Sequence, residues 1–377
     1  MSIGILSARQ MSAMASADEN GLHRIASLNQ EQDWRFNASS FDLPLGNEYW
    51  EMKGSCRTGS RLQVMDIIQK FALDRSPKHM DGEMVLAKSR VYLIKVDCRL
   101  NFKGTKIQGK STARSSIGRL DVLVRLLVNE SPEFDKVTGP YGGDLYVEVT
   151  PISFDLLVRP GVSLSQLRLF KGSDRLVTLT REELNLEDDY PVVDRSGKEL
   201  RVEGKEPWET GIPFCLDLLP DSSAGCSGFV ARKDSREPID PSKRDYYAPT
   251  DYWEAVEAKD GAIELETDRL YILRSKERLR IPSHLALECQ AYTETLGEWR
   301  IEYAGFAHPW FGRSRRNGSP LMFEVRGHNV PTILTDGIPL GIVTFKRMAE
   351  PAQEPKEQQY ELQELKLSSC FKQWSST

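Results

Sequence analysis

Residues 82–102 of this chain can be laid over residues 261–281 without a gap. Gly82 falls on Gly261, Leu86 on Leu265, Arg90 on Arg269, Tyr92 on Tyr271, Arg99 on Arg278 and Leu100 on Leu279, with conservative exchanges at the apolar positions between them. The register runs on to Gly118 and Gly297. After a small shift, Val147-Glu148-Val149 meets Phe323-Glu324-Val325, and Gly161 meets Gly337. Self-similarity over such a span means two copies of one folding unit. From Gly82 onward short apolar runs are separated by turn residues, so the unit is expected to be mainly β with short helices. A helical pattern covers residues 4–20, Phe41-Asp42-Leu43 reads as a strand, and a short helix is expected around Val64-Met65-Asp66-Ile67-Ile68.

The 377 residues are enough for two domains with a core each. The expected boundaries are 1–171 for the first unit, 172–205 for a charged connector with a short helix, 206–349 for the second unit and 350–377 for a mobile tail. Residues 221–249, with Ser222-Ser223-Ala224-Gly225 and several prolines, read as an irregular excursion. A hydrophobic share of 40% and a charged share of 28% describe a soluble globular protein. The net charge of −5, with no long basic run, invites neither nucleic acid nor a membrane surface. Any anionic ligand must therefore be held by a local cluster. Residues 1–15 lack a basic segment followed by an apolar core, and no stretch approaches bilayer length, so the cytoplasm is the expected compartment. The six cysteines are scattered without close pairing, which fits thiols rather than a disulfide framework.

One such local cluster is Arg114-Ser115-Ser116-Ile117-Gly118-Arg119-Leu120, followed by the apolar run Val122 to Val128. Paired hydroxyls ahead of an amphipathic segment read as a helix start, with Ser115 or Ser116 as the N-cap. The stretch is either an ordinary capped surface helix with solvated arginines or a helix end that grips an anion with Arg114 and Arg119. Downstream, after the turn Gly139-Pro140-Tyr141-Gly142-Gly143, lies the strand-like Leu145-Tyr146-Val147-Glu148-Val149. Alternation places Tyr146 and Glu148 on one face. That face is either the solvated side of a sheet or a pocket wall, and in a pocket Glu148 is a candidate proton carrier.

These motifs, with Arg159-Pro160-Gly161, Leu164-Ser165-Gln166-Leu167 and the earlier Asp42-Leu43-Pro44-Leu45-Gly46, resemble the dCTP deaminase family, a branch of the trimeric dUTPase superfamily, in its long two-unit bacterial form. The resemblance implies two tandem dUTPase-like distorted β-barrel units, a homotrimer, and hydrolysis of dCTP to dUTP and ammonia. It implies Glu148 as the proton shuttle and Ser115 as the group holding the water. Arg114, Ser116 and Arg119 would hold the triphosphate, whose Mg²⁺ travels with it rather than in a protein cage. The backbone near Val128 would line the base, Tyr146 and Val147 the nucleotide, and Tyr141 an aromatic wall. Asp135 is the nearest candidate for the deoxyribose hydroxyl, and Gln166 matches a family glutamine near the nucleotide. The tail sequence Gln359-Tyr360-Glu361-Leu362-Gln363 resembles the family's lid, with glutamine in place of the usual lysine; a plain disordered tail is the other reading.

Zinc-dependent deamination needs a His-x-Glu or Cys-x-Glu element with a Cys-x-x-Cys pair, and the sequence contains neither. The second copy differs where the cluster lies: Thr293, Glu294, Thr295 and Glu298 stand opposite Arg114, Ser115, Ser116 and Arg119. Two acids there repel a triphosphate, so the second unit is expected to serve as structural support. It resembles the family elsewhere, in residues 303–312, with His308 at a family aspartate position. Two alternative activities stay open: a dUTP pyrophosphatase or bifunctional enzyme on the same fold, and a catalytically idle nucleotide-binding protein.

Overall fold

The computed structural model describes residues 2–17, 21–28, 34–201, 211–235, 237–291, 299–301, 305–355 and 363–375. The chain divides into two compact units. Unit 1 comprises Met1–Val177, Glu237–Ser242 and Met348–Gln353; unit 2 comprises Thr178–Arg236, Lys243–Arg347 and Glu354–Thr377. The molecule is mostly β, with barrel-like sheets in both halves.

Two expected boundaries change. Most of residues 172–205 form no free connector, because the apolar residues set among their charges, Leu179, Leu184, Tyr190 and Val192, are buried in the core of unit 2. Nor are the described parts of residues 350–377 a loose tail. Glu350 pairs with Arg9 within unit 1, and Leu365, Leu367, Cys370 and Phe371 are buried within unit 2. Burying four such side chains stabilises the segment by roughly 1.5–3 kcal/mol for each large one, more than a polar tail gains from freedom. The expected irregular excursion contains the strand Gly228–Ala231, which pairs with Trp253–Val256 and with Leu270–Leu279.

In unit 1 the strands run in the order Lys136–Val137, Ile107–Ala113, Ser163–Lys171, Ser40–Met52, Val91–Asn101, Gly142–Pro151, Val122–Leu127. The long strand Ser40–Met52 joins the two halves of this sheet. Its residues Phe41 to Pro44 pair with Ser163–Lys171, and its residues Leu45 to Met52 pair with Val91–Asn101 across a register break. Gly46 sits at that break because a Cβ there would lie 2.8 Å from the Lys95 carbonyl oxygen, a spacing no side chain tolerates. The helix Val64–Phe71 lays Val64, Ile67 and Ile68 on Trp50, Leu93, Leu127 and Tyr146, closing one end of the face that also carries Glu148.

Unit 2 repeats this order. Leu270–Leu279, Ile212–Asp217, Pro339–Arg347 and Leu285–Ala291 are successive neighbours, and Ser319–Gly327 flanks Leu270–Leu279 as Gly142–Pro151 flanks Val91–Asn101. Leu93 lies opposite Glu148, and Ile272 opposite Glu324. The sequence repeat is therefore a repeat of pairing. Its turns are held in the same way: the Tyr92 hydroxyl accepts the Ala87 N–H at 3.1 Å, and the Tyr271 hydroxyl accepts the Glu266 N–H at 2.9 Å. Gly161 and Gly337 have φ of 84° and 85°, a left-handed conformation that favours glycine. Removing a phenol hydroxyl orphans one part-buried N–H, so Tyr92→Phe and Tyr271→Phe are each expected to cost about 1 kcal/mol. Urea midpoints of the two variants should fall together; a loss confined to one would show that only one copy depends on the hook.

Candidate active site

The arginine–serine cluster forms a single helical turn, Ser115–Gly118, and Arg114 rather than a serine occupies the N-cap position. The Arg114 carbonyl accepts the amides of Ile117 at 2.8 Å and Gly118 at 3.0 Å. Asp121, at φ 59°, ends the turn in the left-handed region. The apolar run that follows is not a helix but the strand Val122–Leu127, since alternation of β-branched and long apolar side chains suits a sheet buried on both faces. Ser115 stands half-buried at the start of the turn, while Ser116 and Arg119 are buried. Arg114 turns towards Asp42: its guanidinium lies 3.5 Å from the buried carboxylate and donates to the Ser163 carbonyl at 3.3 Å. Burial raises the Asp42 carboxyl, and Arg114 and the Asn37 amide oppose that rise.

Gln166 belongs to the same neighbourhood. It lies in register with Asp42 on one side and Thr112 on the other, and its Oε1 accepts the Ser40 hydroxyl at 2.7 Å. Ser111 links this group to the next: its hydroxyl donates to the Gln166 carbonyl at 3.1 Å, and its amide donates to the Asp135 carbonyl at 2.8 Å.

Glu148 lies within the strand Gly142–Pro151, and only 3% of it is exposed, so its face is not the solvated side of a sheet. Oε2 accepts the Cys56 amide at 3.1 Å, from the loop that precedes the helix Val64–Phe71. Oε1 is buried without a hydrogen-bond partner among the described residues. Burial pushes the Glu148 carboxyl above its ordinary value, against the pull of the Ser55 side chain, the Cys56 amide and Arg125. Arg125 lies opposite Glu148 in the neighbouring strand and reaches Asp135 at 3.0 Å. Asp135 also accepts the Leu126 amide at 2.8 Å, and burial raises its carboxyl despite Arg125. The half-buried Asp135 thus holds the guanidinium that lies in register with the buried Glu148.

Thr58 secures the loop over this group by donating to the carbonyls of Val128 and Ser131, each at 2.9 Å. Tyr146 packs beside Trp50, with ring centroids 6.3 Å apart, and burial raises its phenol to about 12. Val147 is buried on the opposite face of the strand from Glu148 and lies in register with Leu126 and Ile94. The Tyr141 hydroxyl donates to the Asp144 carbonyl at 2.5 Å, within its own turn. Gln363 belongs to unit 2, where its Nε2 donates to the Pro320 carbonyl at 2.8 Å. Residues 359–362 of the lid-like sequence lie outside the described residues, as do Thr293, Glu294, Thr295 and Glu298.

Sequence reasoning missed Arg125, Asp42 and the loop Ser55-Cys56. Arg125 was within reach, because reading Val122–Leu127 as a strand puts it on the face that Glu148 shares. The Cys56 contact spans 92 residues of chain and carries no sequence signal.

The first copy of this two-copy, mainly β chain carries both the buried Glu148 carboxyl and the arginine–serine turn. The family model described as the 2′-deoxycytidine 5′-triphosphate deaminase N-terminal domain matches residues 2–173, and that of the C-terminal domain matches residues 181–371. The chain belongs to the 2′-deoxycytidine 5′-triphosphate deaminase family, whose members are hydrolytic deaminases. It is similar to the crystal structure of 2′-deoxycytidine 5′-triphosphate deaminase from Agrobacterium tumefaciens, with a TM-score of 0.81 and 28% identity over 94% of this chain and 100% of that one. No curated protein matches it.

A carboxyl whose folded-state pKa lies above its unfolded value holds its proton more tightly when folded. Its ionisation therefore lowers stability as pH rises through the interval between the two values. Glu148→Gln removes that penalty and keeps an acceptor for the Cys56 amide. The variant is expected to melt on the order of 2–4 °C higher at pH 7.5, with the gap closing below the ordinary carboxylate range. A variant that melts lower at pH 7.5 would mean that the ionised carboxylate is a net stabiliser.

Proposed function

We propose that unit 1 is the catalytic unit of a dCTP deaminase, and that Glu148 is its proton shuttle. The observation that carries this reading is the Glu148 carboxyl: removed from water, raised by burial, with one oxygen fixed by Cys56 and the other uncommitted among the described residues. Water adds to C4 of the cytosine as Glu148 takes one of its protons. Glu148 passes that proton to N3, then moves the remaining hydroxyl proton to the departing amino group, so that the C4–N bond breaks, ammonia leaves and the uracil carbonyl forms. A carboxyl with a pKa nearer neutrality is better matched to both halves of this transfer. Ser115 holds the attacking water, while Arg114, Ser116 and Arg119 grip the triphosphate, which brings its Mg²⁺ as part of the substrate. Asp42 supports the reading for Arg114 by orienting its guanidinium.

Asp135, held between Arg125 and the Leu126 amide, is placed at the deoxyribose. Tyr141, Tyr146, Val147, Val128 and Gln166 line or brace the nucleotide. The working assembly is a homotrimer in the cytoplasm. The free thiols of all six cysteines support that compartment, and no helix among the described residues is long and apolar enough to cross a membrane.

Incubation with dCTP and Mg²⁺, followed by product separation, tests the activity. Ammonia with dUTP supports it, pyrophosphate marks a pyrophosphatase instead, and unchanged dCTP marks a protein that only binds. Glu148→Gln should lower kcat by about 10³-fold while dCTP still binds. The wild-type rate should fall as pH drops through a value above the ordinary glutamate range, because protonated Glu148 cannot accept the water proton. Arg119→Lys keeps the charge but loses the fork, and should weaken dCTP at least about tenfold with little change for deoxycytidine. Equal losses for both would remove Arg119 from the phosphate site.

A further inference from the structure

Unit 2 contains a cavity of about 740 Å³ that the chemistry proposed for unit 1 does not use. Its size falls within the roughly 300–1,000 Å³ of small-molecule sites. Four guanidinium groups, those of Arg195, Arg274, Arg278 and Arg315, line it. In a chain whose net charge is −5, such a concentration of positive charge is local. It is also particular to this copy. Arg278 is buried, whereas its repeat partner Arg99 in unit 1 is an exposed side chain beside Asp144.

The four arginines are not equally committed. Arg274 spends its donors on Asp217 at 3.1 Å, Asp221 at 2.6 Å and the Leu219 carbonyl at 2.9 Å, so it is structural. Arg195 is paired with Asp217. Arg278 donates to the Asn317 carbonyl at 2.7 Å and the Gly318 carbonyl at 2.9 Å, and with Arg315 it also converges on one carboxylate, that of Glu364, which lies 3.8 Å from Arg274. Arg278 grips it with a two-bond fork at 2.5 and 3.1 Å, and Arg315 approaches at 3.2 Å. The Glu364 side chain is 30% exposed. A planar carboxylate held by a guanidinium fork and a second arginine occupies the geometry in which arginines bind phosphate oxygens. Lys366, Lys372 and Asp245 complete the charged lining.

The other wall is aromatic. Phe229, Phe371 and Trp374 line the cavity, and the Phe229 and Trp374 rings lie 4.8 Å apart at an angle of 45°. Phe229 and Phe371 are buried, so the part-exposed Trp374 is the ring on which a flat heterocycle stacks.

We propose that the cavity of unit 2 is a second nucleotide site, which takes a nucleoside triphosphate with its phosphates on Arg278 and Arg315 and its base against Trp374, and that Glu364 occupies the phosphate position until the ligand displaces it. The second copy thus departs from unit 1 by exchanging one anion site for another of different construction.

Calorimetric titration of the full-length protein with ATP and, separately, with inorganic tripolyphosphate tests this, because the altered residues all lie in unit 2. Arg315→Ala, at a part-exposed position that the fold tolerates, should weaken both ligands by about tenfold. Glu364→Gln should tighten both by a similar factor, since the internal competitor loses its charge. Trp374→Ala should weaken ATP about tenfold and leave tripolyphosphate within about twofold. Absence of binding to both the wild type and Glu364→Gln would overturn the site, as would affinities indifferent to Arg315 and Glu364. Tripolyphosphate binding as tightly as ATP, with no effect of Trp374→Ala, would overturn its assignment to a nucleotide.

Discussion

A carboxyl group taken out of water stays ionised only where hydrogen bonds or opposite charge make up for the lost hydration. Glu148 receives part of that compensation. The Cys56 amide reaches one oxygen, and the nearby guanidinium of Arg125 is already bonded to Asp135. The sheet supplies the burial, because Glu148 lies between Arg125 and Leu93 in a strand that is covered on both faces. Strand pairing thus sets the proton affinity of the side chain. The loop over it is tied down separately, through Thr58 and the carbonyls of Val128 and Ser131.

Much of this could be read from the residues. The gapless match of residues 82–102 to residues 261–281 reappears as two sheets with one strand order, because gapless similarity preserves strand register and strand register decides which side chains face inward. The Arg114–Arg119 cluster was expected to start a helix; it forms a single turn that its serines do not cap, and the run beyond it is a strand. Hydroxyls followed by apolar residues satisfy the helix pattern and the buried-strand pattern alike, and only the paired neighbours of Val122–Leu127 decide between them. The charged stretch 172–205 misled for a related reason: its few apolar residues are spaced to enter a core, while the charges around them dominate its composition. What stayed illegible were the contacts between distant segments, such as Cys56 with Glu148 or Asp42 with Arg114, where nothing local records the partner.

The two copies share a frame and differ in how charge is placed on it. In unit 1 a single arginine, Arg125, pairs with the half-buried Asp135 and lies in register with the buried Glu148. In unit 2 a buried arginine, Arg274, is saturated by two aspartates, and its neighbour Arg278 shares a glutamate with Arg315. The first arrangement leaves a carboxyl short of charge; the second gathers several guanidinium groups around shared carboxylates. Both are built on equivalent sheets, so the difference between them lies in the side chains that the strands carry.

The phenol hooks of Tyr92 and Tyr271 lie entirely within their own units, and neither hydroxyl bonds to a residue of either site. Each half therefore secures its turn with parts that its ligand chemistry never touches. A gene that doubled with such a fastening in each half gave natural selection two scaffolds to work on, so that drift in one could be explored without loosening the other.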